Sequence, residues 1–453
     1  MYLEYLCAKE MGFVFRKIIA VLSVFLMLFS LSGCDLFTGD TAELLTPPSL
    51  SGDLAPIAVA INESAGGSYT FKYPSRGDFR SAVVQRDINS DGVFEAFALY
   101  SMNDGENVTM HINAIAFEDN SWRSVSQQKI VAGGVDRIDF CDLDADGIEE
   151  ILVGWEIYGT SEMQLAVYRM GEDTLEQLIL HKYTHFLTSD LNQNDKKEIF
   201  IIETASVEAR NSALVLELGE QGKFEVSSCR LDSAAKTFNE PTLSTLSTGK
   251  PAVYIDEIKG AGAITEVLYM DKGILVNPLI SADTAETVET LRSVSFRTLD
   301  INGDSILEIP VQENVPSVTQ SDVNEKLYLT KWCSFNGESL TNQLTTMINV
   351  DDRFYYTVPS RWLGKIAVLK DTNSRIREIY LYNPDDMLVG ESLIYFRAVS
   401  KSEWDKGEYE SEGCEEIMND GQTAYICRIS SAARNEGITL DNVKSNFKLF
   451  EQE

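Results

Sequence analysis

The sequence predicts a mainly β chain, a six- or seven-bladed β-propeller followed by a small α+β C-terminal domain. Three observations carry this. A nine-residue acidic loop recurs four times with one internal spacing, each time just before an apolar run. The loops begin at residues 87, 142, 190 and 300, giving steps of 55 and 48 residues and then a gap of 110 that holds two repeats; this is the period of a four-stranded propeller blade. From Ile57 to Asn349 short runs rich in Val, Ile, Tyr and Phe alternate with Gly, Asn and Asp. That reads as strand and turn throughout, with no helical stripe of ten residues or more. A blade cannot bury both faces alone, so neighbours must stack.

The chain opens on a processing pattern. Arg16-Lys17 precede an apolar stretch from Ile18 to Leu31, too short for a membrane span of about 20 residues and suited to a signal segment. Leu31-Ser32-Gly33-Cys34 closes it and resembles the lipobox of bacterial lipoproteins, which implies cleavage before Cys34 and acylation of its thiol. Residues 1–33 are then a signal peptide, with Met11 as an alternative start, and residues 34–56 a lipidated tether stiffened by Pro47-Pro48. This expects a protein held by the lipid on Cys34 at the outer face of the cytoplasmic membrane or at the cell surface.

Within residues 1–33 there are three basic and two acidic side chains, so the remainder holds 35 basic and 68 acidic, a net charge of −33. Such a surface repels phosphate backbones and excludes nucleic acid as a partner. The cysteines left after the signal and Cys34 are Cys141, Cys229, Cys333, Cys414 and Cys427, an odd set with no framework spacing. Cys414 and Cys427 are the pair that could close a hairpin; buried single thiols are the other reading.

The propeller is expected over residues 57–350. Inside the long gap, Tyr254-Ile255-Asp256 to Glu266-Val267-Leu268 keeps the strand, loop, glutamate and strand order without the ligands, a fifth and degenerate loop. Thr70 to Pro74 and Lys326 to Trp332 would complete further blades. Residues 351–453 are the small α+β domain. Its strands are expected at Phe354–Pro359, Lys365–Leu369, Arg377–Tyr382, Leu393–Phe396 and Ala424–Ile429, and Thr439 caps a final helix with Val443, Phe447 and Phe450 on one face.

The loops place oxygen-bearing side chains at positions one, three and five and a carboxylate at nine, the donors a hard cation such as calcium needs. They are Asp87, Asn89, Asp91 and Glu95; Asp142, Asp144, Asp146 and Glu150; Asp190, Asn192, Asn194 and Glu198; and Asp300, Asn302, Asp304 and Glu308. An EF-hand needs a glutamate at position twelve, where this chain has Ala98, Val153, Ile201 and Val311. Glutamate at nine ahead of a strand instead resembles the FG-GAP or VCBS class of propeller repeats. The resemblance implies that the carbonyls of Val93, Ile148 and Ile306 join the ligands and that two to four Ca2+ ions are structural. Gly92 and Gly147 suit the turn at position six; Asp195 and Ser305 depart from it, so the expected affinity order is second, first, fourth, third.

No catalytic residue is assigned. His181 and His185 have zinc spacing but lie in a strand reading, and Ser233-Ala-Ala-Lys236 lacks companion motifs. The layout resembles VCBS/FG-GAP-type lipoproteins of Gram-positive bacteria. It implies a non-enzymatic, membrane-anchored, calcium-stabilised binding or scaffold protein for an unidentified protein or polysaccharide. An envelope carbohydrate-active hydrolase or lyase using propeller carboxylates, and an assembly factor for exported proteins, are the alternatives.

Overall fold

The computed structural model describes residues 54–450 apart from 104, 106–107, 160–161, 205–209, 220–221, 294–295, 319–326 and 372. Cys34, the signal segment and the tether up to residue 53 lie outside the described residues. The described chain is mainly β and divides into two compact units. One holds the residues up to Tyr73 with Ser81–Arg86 and Phe94–Val131; the other holds Pro74–Arg80, Asp87–Val93 and the residues from Ala132 on.

The first unit begins with a helix, α1 (Ala55–Ala65), where the sequence reading has strand and tether. Pro56 sits in its first turn and Gly66, at φ 66°, ends it in the left-handed region. Ile57, Ala60 and Ile61, at i, i+3 and i+4, are buried against Tyr100 and Ile115. Small alanines on that face and an exposed Val59 hide the stripe from a hydrophobicity count. A sheet follows, of β1 (Tyr69–Phe71), β2 (Val83–Arg86), β3 (Glu95–Asn103), β4 (Val108–Glu118) and β5 (Ser121–Val131), in which β1 and β2 share one edge of β3. Thr70 thus belongs to this first sheet and completes no later blade.

Among the described residues the second unit carries five sheets. Two are four-stranded antiparallel meanders: β6 (Gly134–Cys141), β7 (Glu150–Glu156), β8 (Met163–Met170) and β9 (Leu175–Tyr183); then β10 (His185–Ser189), β11 (Glu198–Glu203), β12 (Ser212–Leu218) and β13 (Phe224–Arg230). The next joins β14 (Thr237–Phe238), β15 (Thr242–Thr245), β16 (Pro251–Lys259), β17 (Gly262–Asp271) and β18 (Ile274–Val276). After it come β19 (Ile309–Val315), β20 (Leu327–Phe335), β21 (Leu340–Asn349) and β22 (Phe354–Thr357), and last a sheet of β23 (Ile366–Asp371), β24 (Ile376–Asn383), β25 (Leu388–Ser400), β26 (Glu415–Asn419) and β27 (Thr423–Ile429).

Successive sheets of this unit share apolar cores, and strand periodicity shows how. In β11, Ile199 and Ile201 pack with Leu152 and Leu165 of the preceding sheet, whereas Phe200 and Ile202 pack with Val253 and Ile255 of the following one. Side chains alternate faces with period two, so a strand covered on both sides reads as a continuous apolar run. The last strand of the second meander, β13, has no buried residue and is exposed at Glu225, Val226, Ser228 and Arg230. Tyr254 and Val267 join Ile309 and Phe335 in the next core, and Leu329 and Met347 join Ile379, Leu393 and Phe396 in the one after.

Two expectations are corrected here. The degenerate fifth loop is a β-hairpin: Tyr254 to Ile258 lie in β16, Glu266 lies in β17, and Glu257 pairs with Ile264 across them. The connection that corresponds to an acidic loop is the short turn from β15 to β16, closed by Gly249 at φ 83°. The final helix is shorter than expected. Thr439 caps it in a capping box with Asn442 and Val443 is buried, but it ends at Asn446, and Phe447 opens β28 (Phe447–Leu449), paired with β22. Packing decides this: Phe447 stacks on Phe354 with ring centroids 4.8 Å apart. The boundary drawn at residue 350 therefore falls in the turn between β21 and β22, and one apolar cluster runs from Leu329 to Phe447 across it. The histidine pair is split, His181 on β9 and His185 on β10.

Candidate metal centres

Two of the acidic loops join the first and second strands of a sheet: Asp142–Glu150 links β6 to β7, and Asp190–Glu198 links β10 to β11. Asp300–Glu308 leads into β19, with Leu299 bridged to Glu308. Asp87–Val93 belongs to the second unit, while Glu95 opens β3 in the first. Position twelve lies inside β3, β7, β11 or β19, which is incompatible with an EF-hand.

All four loops have one backbone. Position four is left-handed at Ser90 (φ 58°), Ala145 (59°), Gln193 (63°) and Gly303 (84°), and position six at Gly92 (87°), Gly147 (88°), Asp195 (68°) and Ser305 (69°). A non-glycine residue held there costs of order 1 kcal/mol, so Asp195 and Ser305 adopt the glycine conformation at a cost and the loop survives its departures. The same hydrogen bonds recur. The position-one carboxylate accepts from the N–H of position six, at 3.0 Å for Asp87, Asp142 and Asp190 and 2.9 Å for Asp300. The position-five oxygen accepts from the N–H of position seven, at 2.7 Å from Val93, 2.8 Å from Ile148 and 2.9 Å from Lys196 and Ile306.

In the second, third and fourth loops the position-nine glutamate folds back onto the N–H of position two: Glu150 on Leu143 (3.0 Å), Glu198 on Leu191 (2.7 Å) and Glu308 on Ile301 (3.1 Å). All three glutamates are fully buried. Burial pushes Glu198 and Glu308 up to about 7. It also raises Glu150, against the pull of the Leu143 N–H and Arg169. One oxygen from each of Asp142, Asp144 and Asp146 lies within 4.8 Å of the others. Asp142 Oδ1, Asp144 Oδ1, Asn192 Oδ1 and Glu198 Oε1 are buried without a hydrogen-bond partner. Buried oxygens left without a donor, in an all-oxygen set, are what a hard divalent cation satisfies, so these residues fit the calcium expected of them. Val93 and Ile148 are exposed at 40% and 36%, as suits positions used for their backbone.

Sequence reasoning missed two side chains that touch these loops. Arg169, at the end of β8, binds Asp144 Oδ2 (2.5 Å) and Glu150 Oε1 (2.6 Å). Glu217, on β12, accepts from the amide nitrogens of Asn192 (3.1 Å) and Asn194 (2.8 Å). Their only sequence signal is a charge directly after an apolar run. A surface pocket of about 370 Å³ beside the second loop is lined by Asp144, Asp146, Arg169, Glu176 and Lys196 among others. Elsewhere, His181 Nε2 lies 3.0 Å from Glu203 and His185 Nε2 2.9 Å from the Phe238 carbonyl, so the histidines face different partners. Trp155, Trp332 and Trp362 are buried with their ring nitrogens hydrogen-bonded and serve packing. The five described cysteines are free thiols.

No protein-family model and no curated protein matches the chain. Among solved structures, it is similar to the periplasmic gluconolactonase PpgL of Pseudomonas aeruginosa, at 12% identity over 66% of this chain and 82% of that one, with a TM-score of 0.27. It is also similar to the exotype rhamnogalacturonan lyase YesX, at 11% identity over 71% and 83%, with a TM-score of 0.29. With scores this low, the functional reading rests on the chain's own residues.

Proposed function

We propose that this chain is a lipid-anchored extracytoplasmic protein whose β-propeller is stapled by calcium and which acts without catalysis, as a binding or scaffold protein for a protein or polysaccharide. The observation that carries the calcium reading is the turn shared by the four loops, with the same left-handed positions and the same hydrogen bonds at positions one and five, and with oxygens left unpartnered in two of them. Calcium supplies positive charge to those oxygens when bound. The chain's own part is to hold them in place through the turn at positions one to seven and through the glutamate tied to position two. All side-chain donors are used in that arrangement, which favours a structural ion over a catalytic one.

Sheet stacking supports the propeller, because four apolar cores of the second unit are each shared by two successive sheets. Six sheets lie among the described residues, which favours the lower blade count with the β23–β27 sheet, expected within a small α+β domain over 351–453, counted as a blade. The lipid anchor at Cys34 and the place at the membrane's outer face follow from the signal pattern. The test is a calorimetric titration of Ca2+ into the chelator-stripped chain beside thermal melts. Binding of two to four ions with a rise in melting temperature is expected; no binding and no shift overturns the reading. Turnover of a polysaccharide or lactone abolished by one carboxylate substitution would overturn the non-enzymatic part.

A further inference from the structure

The second and third loops are built from unequal ligands, yet each is met from the same place. Arg169 lies one residue past the registered pair Ile151–Tyr168 and Glu217 one past Ile199–Leu216, so both sit across from the position-nine glutamate on the neighbouring strand. In the fourth loop that place, one past Ile309–Cys333, holds Ser334. Counting positions one, three, five and nine together with this residue, the second loop has four carboxylates and a guanidinium. The third has two carboxylates and Glu217, and the fourth has three carboxylates and an uncharged serine. Each comes to −3. In sequence the first loop also has three carboxylates at these positions, Asp87, Asp91 and Glu95.

The contacts show that the facing residue does more than balance charge. Glu217 only accepts hydrogen bonds, so Asn192 and Asn194 must turn their NH2 groups to it and their oxygens away. Asn194 Oδ1 then accepts from the Lys196 N–H, and Asn192 Oδ1 stays buried and unpartnered, as does Glu198 Oε1 on a fully buried side chain. Arg169 does the converse. It takes Asp144 Oδ2 and Glu150 Oε1, leaving Asp144 Oδ1 unpartnered and Glu150 with both oxygens engaged.

We propose that the residue facing the position-nine glutamate from the next strand sets the charge and donor orientation of each ion site, and that Arg169 and Glu217 are positioning residues which bring two dissimilar loops to equal calcium affinity. This rests on the calcium reading above, and it replaces the affinity order taken from ligand charge alone. Ligand charge count and the orientation of ligands by neighbouring hydrogen bonds are the quantities that tune such sites.

The experiment is calcium calorimetry on the full chain and on Arg169→Gln and Glu217→Gln, with melting in chelator alongside. Arg169→Gln is expected to tighten one site about tenfold while lowering the chelator melting temperature, and Glu217→Gln to weaken one site about tenfold. Glu217→Asp keeps the charge and should stay within about threefold of the parent, and Arg169→Lys, which keeps the charge but loses the fork of donors, should fall between the parent and Arg169→Gln; both separate tuning from misfolding. A purely structural role predicts no opposite shifts. If both variants weaken binding or neither moves it, the proposal is overturned and the calcium reading stands. If the parent chain binds no calcium, the calcium reading fails and this inference with it.

Discussion

The acidic loops and the β14–β18 sheet both gather carboxylates, and they neutralise them differently. In and beside that sheet the counter-charges are covalent parts of the chain. Asp232 is fully buried and held by Lys259 Nζ at 2.8 Å and the Thr287 N–H at 2.7 Å. Asp256 is held by Arg292 at 2.9 Å and by Thr265 and Thr298. Glu266 accepts from Asn277, Thr287 and the Asp232 N–H. Glu257, fully buried with neither oxygen accepting a hydrogen bond, is driven well above its usual value by burial and by Glu266. The loops leave oxygens unpartnered and three buried glutamates raised. One region meets most of its carboxylates with its own cations and donors, and the other leaves buried oxygens to which the calcium reading assigns an ion from solution.

The largest expected effect tests the self-sufficient side. Arg292→Met strands Asp256 without its buried counter-charge, and denaturant unfolding should show a loss of about 3–5 kcal/mol, equal with and without calcium. A loss that calcium repairs would erase the distinction between the two regions. Next comes the dependent side. For affinities of order 10⁻⁴ M and free calcium of ~2 mM, each ion contributes about 2 kcal/mol; chelation should lower the melting temperature, and Asp142→Ala should remove one site's share of that fall.

Glu257→Gln sharpens the comparison through pH. A carboxyl whose folded pKa lies above its usual 4.5 contributes fully below that value and loses its contribution as pH rises toward the folded pKa. The parent should therefore fall relative to the glutamine variant by roughly 1.4 kcal/mol per pH unit within that window, read from melts between about pH 5 and pH 8. The smallest effect is a change of sign: Glu198→Gln should stabilise the chelated chain by about 1 kcal/mol near pH 8 and destabilise the calcium-loaded one by a similar amount. The same sign in both states would show that Glu198 does not serve an ion.

Much of this was legible in the sequence for a physical reason that also marks its limit. A nine-residue loop is held by bonds between residues two to seven apart, so spacing alone identifies Asp142, Asp144, Asp146 and Glu150 as one unit. Strands such as Ile199–Ile202 and Ala213–Leu216 announce themselves because both faces are covered. The errors arose where distant packing overrides local pattern. Phe447 leaves its helix to pair with Tyr356, the α1 stripe is masked by alanine, and Tyr254 to Glu266 has the order of a loop while its backbone groups pair as a hairpin.

By itself the sequence determined the acidic loops and the oxygen-bearing residues in them, because each loop is written in near neighbours. Only the tertiary structure decided which residue faces each glutamate, and that Lys259 and Arg292 neutralise one region from within. A charge one strand away is close in space and remote in sequence, and Coulomb interaction depends only on the distance in space.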